Sequence, residues 1–150
     1  LGRAASYLWK VDEPTYTRMR QSYRDITKAV LSSLCGHAGA EGGIGSMMAV
    51  SILTGAGTSY HYDKGDDAHF YSMILVLGTG GLLKLPEVGY EMYVNPGDVV
   101  FFLANQQLHK LKVDPTSPQS VQTVFTIWTD RLAMQSATPS PYNDFYRHET

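Results

Sequence analysis

Between Ser46 and Trp128 the chain is cut into short runs rich in β-branched and aromatic residues, each closed by a cluster of turn formers, and this rhythm restricts the fold more than any other feature. The spacing predicts strands over 46–54, 58–63, 69–77, 82–85, 90–94, 98–104, 107–113 and 120–128. The segments "GTGG" at 78–81, "PEVG" at 86–89, "NPGD" at 95–98 and "DPTSP" at 114–118 supply the Gly, Pro, Asn and Asp that tight reversals need. Ahead of them, residues 13–34 read as one amphipathic helix. Pro14 suits its first turn, and Met19, Tyr23, Ile26, Val30 and Leu34 make a single apolar stripe. Glycine-rich residues 35–45 then break it. Strands at this spacing behind one helix predict a mainly β fold, with two antiparallel sheets wound as a jelly roll (a double-stranded β-helix) and the helix on an outer face. The expected organisation is one domain over 1–150: a helical support at 13–34, a jelly-roll core at 45–130, and a surface tail at 133–150 rich in Pro, Ser and Thr.

Composition bounds the function. With 150 residues, 43% hydrophobic and 17% charged, the chain can bury a core without disulfides and is not a disordered segment. The single cysteine, Cys35, cannot form an internal bridge, so an intracellular, reducing compartment is expected, with nucleus and cytoplasm both open. No apolar run approaches the ~18 residues of a membrane span and no signal-peptide pattern is present, so no membrane partner is expected. A first residue of Leu1 rather than Met suggests a piece of a longer chain. Six basic residues (Arg3, Lys10, Arg18, Arg20, Arg24, Lys28) against three acids (Asp12, Glu13, Asp25) give the first 28 positions a local excess of 6 − 3 = +3, but the whole chain carries −2. Such an excess reads first as a solvated helix face, and nucleic acid stays a candidate partner only.

The chemistry concentrates in "TSYHYDKGDDAHF", residues 58–70. Side chains alternate across a strand, so Ser59, His61 and Asp63 share one face while Tyr60 and Tyr62 share the other. In "QLHKLKV" the same rule sets Lys110 and Lys112 outside and turns His109 inward. A jelly roll brings distant strands together at its open end, so His61, Asp63 and His109 can meet as two imidazoles and one carboxylate. That set leaves three positions free on an octahedral metal and suits non-haem Fe(II). Each histidine alone would more often be a hydrogen-bonded core residue; order, spacing and parity together favour a metal centre. Asp66, Asp67 and His69 fit turn chemistry, and His37 and His148 fall in a loop and a tail.

The run from His61 to Leu111 resembles the core of an Fe(II)/2-oxoglutarate-dependent dioxygenase, and "LPEVGYEMYVNPGDVVFF" resembles in particular the fungal branch related to the ten-eleven-translocation and J-binding-protein oxygenases. The resemblance covers about residues 45–128. It implies a dioxygenase-like domain in which His61, Asp63 and His109 hold iron, 2-oxoglutarate chelates it as cosubstrate, and dioxygen is spent on oxidising a C–H bond, with a modified nucleobase among the candidate substrates. The sequence departs from the family at the cosubstrate clamp. Members usually place Arg or Lys ten to fifteen residues past the distal His, because a guanidinium fork matches a carboxylate. Here residues 119–124 read "QSVQTV", leaving Gln122 as a neutral partner, and Arg131 follows 22 residues past His109. A non-catalytic jelly-roll binding module and a cupin-like metalloprotein that does not use 2-oxoglutarate therefore stay open.

Overall fold

A computed structural model describes residues 2–30, 47–53, 57–113 and 121–136. Two helices open it, α1 (Gly2–Val11) and α2 (Glu13–Val30). Asp12 separates them and caps the second: its Oδ1 accepts the Thr15 N–H at 3.2 Å, and Pro14 follows within the first turn. The expected helix is thus α2, described as far as Val30, and residues 31–34 lie outside the described residues. Helix α1 was not expected. Among its described side chains Leu8 is buried while Tyr7, Trp9 and Val11 are exposed, and its apolar and polar residues segregate to opposite faces, so it is amphipathic like α2.

Among the described residues seven strands follow, β1 (Met47–Leu53), β2 (Ser72–Gly78), β3 (Gly81–Leu85), β4 (Tyr90–Val94), β5 (Val99–Phe102), β6 (Lys110–Val113) and β7 (Gln122–Trp128), and then a short helix, α3 (Arg131–Ser136). They form two antiparallel sheets, ordered β1-β7-β2-β5 and β4-β3-β6. The predicted strand at 58–63 is an extended segment held by an isolated bridge between His61 and His109. It lies along β6 through Thr58 N–H to Leu111 O (2.9 Å) and the reciprocal His61 and His109 backbone pair (3.0 Å each). Counting that segment, the second sheet runs 57–63, β6, β3, β4. From β1 to β7 the chain crosses repeatedly between the two sheets, and this winding is the double-stranded β-helix, mainly β with helical support at the N-terminus.

Two apolar layers hold it. Between the sheets, Val76, Leu83, Val94, Leu111 and Val124 pack together, continuing into Leu85, Phe102 and Ala104. Outside the first sheet, Leu8, Met19 and Ile26 of the helices meet Phe70 and Met134, with Tyr71 and Phe101 against them. Met134 lies in α3, where a trailing surface segment was expected from Ala133; its burial is what docks that helix. Entry into the 57–63 segment depends on Gly57. Its φ is +80°, and a Cβ there would stand 2.0 Å from the Leu111 carbonyl oxygen, so only glycine lets the backbone lie this close to β6. Among the described residues no helix is long and apolar enough to cross a membrane.

Candidate metal centre

The three predicted ligands converge. His61 Nε2 lies 3.5 Å from Asp63 Oδ1, and His109 Nε2 lies 3.7 Å from Asp63 Oδ2. The imidazole centroids are 4.2 Å apart at 53°. One donor atom from each residue falls within 4.8 Å of the others, and among the described residues no other His, Cys, Asp or Glu trio does so. Donors about 2.1 Å from a shared ion stand roughly 3–3.5 Å apart at cis angles, and the two separations from Asp63 are close to that.

Both rings are oriented by the backbone two residues upstream. His61 Nδ1–H donates to Ser59 O at 2.7 Å and His109 Nδ1–H donates to Gln107 O at 2.9 Å. Each bond places the proton on Nδ1 and leaves the Nε2 lone pair facing Asp63, the arrangement that orients metal-ligating histidines. His109 is buried, its ring against the Phe102 edge at 4.9 Å, and burial holds its pKa below the usual histidine value. A neutral imidazole with a free Nε2 is the form a metal needs. The donor set therefore fits a borderline divalent ion.

The segments that carry the ligands are laced together. Asp63 N–H donates to Ala104 O (2.9 Å), Asn105 Nδ2 reaches Asp63 O (3.3 Å) and Asp66 O (2.8 Å), and Gln106 Nε2 reaches Ala68 O (2.5 Å). Glu87 joins them from the turn after β3, accepting the Tyr62 hydroxyl on one oxygen and the Leu108 N–H on the other. These two hydrogen bonds, the Leu108 N–H foremost, hold the Glu87 pKa below the usual carboxylate value.

The ligands open onto a cavity of about 550 Å³ between the sheets, within the usual range for small-molecule sites. Its wall combines Ile74, Phe102, Val124 and Trp128 with Ser51, Thr58 and Thr126; its charged residues besides the centre are Asp66, Asp130 and Lys64. Asp66 and Asp67 do occupy a turn, with Asp66 N–H on Asp63 O at 3.0 Å, but both are buried, which turn chemistry alone did not foretell. Asp66 accepts the Ser72 hydroxyl at 2.5 Å, and desolvation raises its pKa to about 6. Asp67 is likewise raised by burial and accepts the His69 N–H at 2.8 Å.

The two cosubstrate candidates sit apart from that wall. Gln122 is fully buried on the face of β7 that also bears Val124, beside Gly81, with neither its Oε1 nor its Nε2 hydrogen-bonded. Arg131 is exposed at the start of α3, and its charge acts on Asp67 rather than in the cavity. Neither lines the cavity. Of the tyrosines in the β region, Tyr62 lines it, Tyr71 packs on the helical cluster, and Tyr60, Tyr90 and Tyr93 are exposed. Cys35, His37 and His148 lie outside the described residues.

No protein-family model matches the chain, and no curated protein matches it. Among solved structures it is similar to a Cupin 2 conserved barrel domain protein from Salinispora arenicola (17% identity, 59% of this chain and 66% of that one, TM-score 0.44). It is also similar to a cupin protein from Bacteroides fragilis (16% identity, 65% and 73%, TM-score 0.42) and to ectoine synthase from P. lautus (11% identity, 53% and 50%, TM-score 0.40). The chain covers less than two thirds of the first and the third of these.

Proposed function

We infer that this protein is a non-haem iron oxygenase of the jelly-roll class, in which His61, Asp63 and His109 hold one Fe(II) at the cavity. The observation that carries the reading is the convergence of two tautomer-fixed imidazoles and one carboxylate on a common point. Iron bound there would supply activation of dioxygen, one oxygen atom going to a substrate C–H bond as a hydroxyl and the other to 2-oxoglutarate, which supplies the two electrons as it is decarboxylated to succinate and carbon dioxide. The chain's own residues orient and enclose. Ser59 O and Gln107 O aim the rings, Phe102 shields His109 from water, and the apolar wall with Trp128 takes an organic substrate. The resemblance of residues 85–102 to the fungal branch related to the ten-eleven-translocation and J-binding-protein oxygenases supports a modified nucleobase, with Tyr62 and Trp128 as aromatic faces beside the ligands.

A second reading, a metalloprotein of cupin type that does not use 2-oxoglutarate, is favoured by the cavity's charge. Among the described residues no arginine lines it, and their one lysine there, Lys64, donates to Asn105 O at 3.2 Å and lies over the Tyr62 ring. Without a guanidinium the far carboxylate of 2-oxoglutarate loses a charge-assisted contact of about 1.5–3 kcal/mol, roughly ten- to a hundredfold in affinity. Anaerobic Fe(II) titration followed by 2-oxoglutarate separates the readings. A visible charge-transfer band supports the dioxygenase, iron binding without a band supports the cupin-type protein, and no iron binding defeats both.

A further inference from the structure

The metal centre is assembled from two pieces of chain far apart in sequence, 57–63 and 103–109, and most contacts between them are backbone bonds that any sequence could make. Glu87 is different. It belongs to neither piece: it sits in the 3-10 turn Pro86–Val88, where Pro86 sets the entry and Gly89, at φ +70°, closes the turn with its N–H on Pro86 O at 3.2 Å. The turn presents one carboxylate to both pieces. Tyr62 OH donates to Oε1 at 2.5 Å, and Leu108 N–H donates to Oε2 at 2.7 Å. Tyr62 is the residue between His61 and Asp63, and Leu108 is the residue before His109. Among the described residues Leu108 N–H has no other acceptor.

We propose that Glu87 is a positioning residue that sets the spacing of the three metal ligands from outside the cavity, by tying the residue between His61 and Asp63 to the residue before His109. The inference rests on reading His61, Asp63 and His109 as a metal centre. Three features carry it. Both contacts are short and charge-assisted, so they hold although Glu87 is exposed. The two oxygens of one planar carboxylate fix the separation of their donors, which a pair of independent hydrogen bonds would not. The segments so fixed lie next to the ligands, so a shift of Tyr62 or Leu108 is passed directly to Nε2 and Oδ atoms already 3.5 and 3.7 Å apart. Groups that hydrogen-bond metal ligands directly typically change metal affinity ten- to a hundredfold when removed, and Glu87, acting one residue away, belongs at the lower end of that range.

The test compares wild type, Glu87→Ala, Glu87→Gln, Tyr62→Phe and Tyr62→Phe/Glu87→Ala. Co(II) affinity is measured by chelator competition, thermal unfolding on the metal-free proteins, and hydrogen exchange at the Leu108 amide. Glu87→Ala should bind Co(II) about tenfold more weakly with its metal-free melting temperature little changed and its Leu108 amide exchanging faster. Glu87→Gln, which keeps one acceptor oxygen, should fall between. The double variant should be no weaker than Glu87→Ala, because Tyr62 acts through the same carboxylate. Wild-type Co(II) affinity in Glu87→Ala, or an unaltered Leu108 exchange rate, overturns the assignment while leaving the metal centre standing. A wild-type protein that binds no Co(II) and no Fe(II) overturns the metal centre itself, and the positioning role with it.

Discussion

Replacing Asp66 by Asn should stabilise the metal-free protein at neutral pH and leave it nearly unchanged in acid. Asp66 is 7% exposed, and its folded pKa is raised to about 6 from an ordinary 3.8, with desolvation the largest cause and the carboxylates of Asp63, Asp130 and Asp67 adding to it. The folded state therefore holds the Asp66 proton more tightly than the unfolded chain does. The stability linked to that proton is fully present below 3.8 and is lost as pH rises through about 6. Over that interval the loss is roughly 3 kcal/mol at about 1.4 kcal/mol per pH decade. Asn is isosteric, cannot ionise, and keeps an oxygen for the Ser72 hydroxyl. Urea unfolding of both proteins in chelator between pH 4 and pH 7.5 gives the difference curve, in which the contributions of His109 and Asp67 largely cancel. The advantage of Asp66→Asn should grow from near zero at pH 4 to about 2–3 kcal/mol at pH 7. A difference that does not change with pH, or a variant less stable than wild type at pH 7, refutes the reasoning.

Gly57→Ala should cost about 3 kcal/mol or more in denaturant unfolding, because its Cβ would collide with the Leu111 carbonyl at 2.0 Å and its φ of +80° disfavours alanine. Met19→Ala, at 1% exposure in the helix-to-sheet layer, should cost about 2–5 kcal/mol by the same measure. Gln122→Leu should stabilise the ligand-free protein by about 1–3 kcal/mol, since it removes two buried amide atoms that have no hydrogen-bond partner. Arg131→Ala should leave 2-oxoglutarate binding, followed by calorimetry with a redox-inert metal, unaltered, since Arg131 does not line the cavity; loss of binding would give that arginine the clamp role.

The repetitive part of the fold was legible because its determinants are local. Alternation and turn residues set β2 through β7 to within a few residues, and parity, with chain order and the jelly-roll winding, brought His61, Asp63 and His109 to one point. The 58–63 run was read as a strand, yet it is one in direction only: Gly57 and the single His61–His109 bridge hold it along β6 without a continuous ladder. Helix α1 carries an amphipathic period of its own in residues 2–11 and was legible though not expected, whereas α3, six residues anchored by Met134, is too short to make a period. The burial of Asp66 and Asp67 was invisible for a similar reason. Gly-Asp-Asp specifies a turn, and groups distant in sequence enclose it: Asp67 N–H on Thr129 O, Arg131 N–H on Gly65 O, and Asn105 Nδ2 on Asp66 O. Glu87 reads as a turn residue in "PEVG", and nothing in that tetrapeptide says that its carboxylate reaches Tyr62 and Leu108, 25 and 21 residues away.

Anaerobic Fe(II) binding to wild type and to Asp63→Ala decides whether His61, Asp63 and His109 form one metal centre. Asp63 is the shared neighbour of both imidazoles, so its loss removes the only carboxylate of the set and the group that both Nε2 atoms face. Wild type should take up one Fe(II) per chain, and Asp63→Ala should retain the circular-dichroism spectrum of the fold while its iron affinity falls by about a hundredfold or more. Full-affinity iron binding by Asp63→Ala would contradict the account, as would a wild-type protein that binds none.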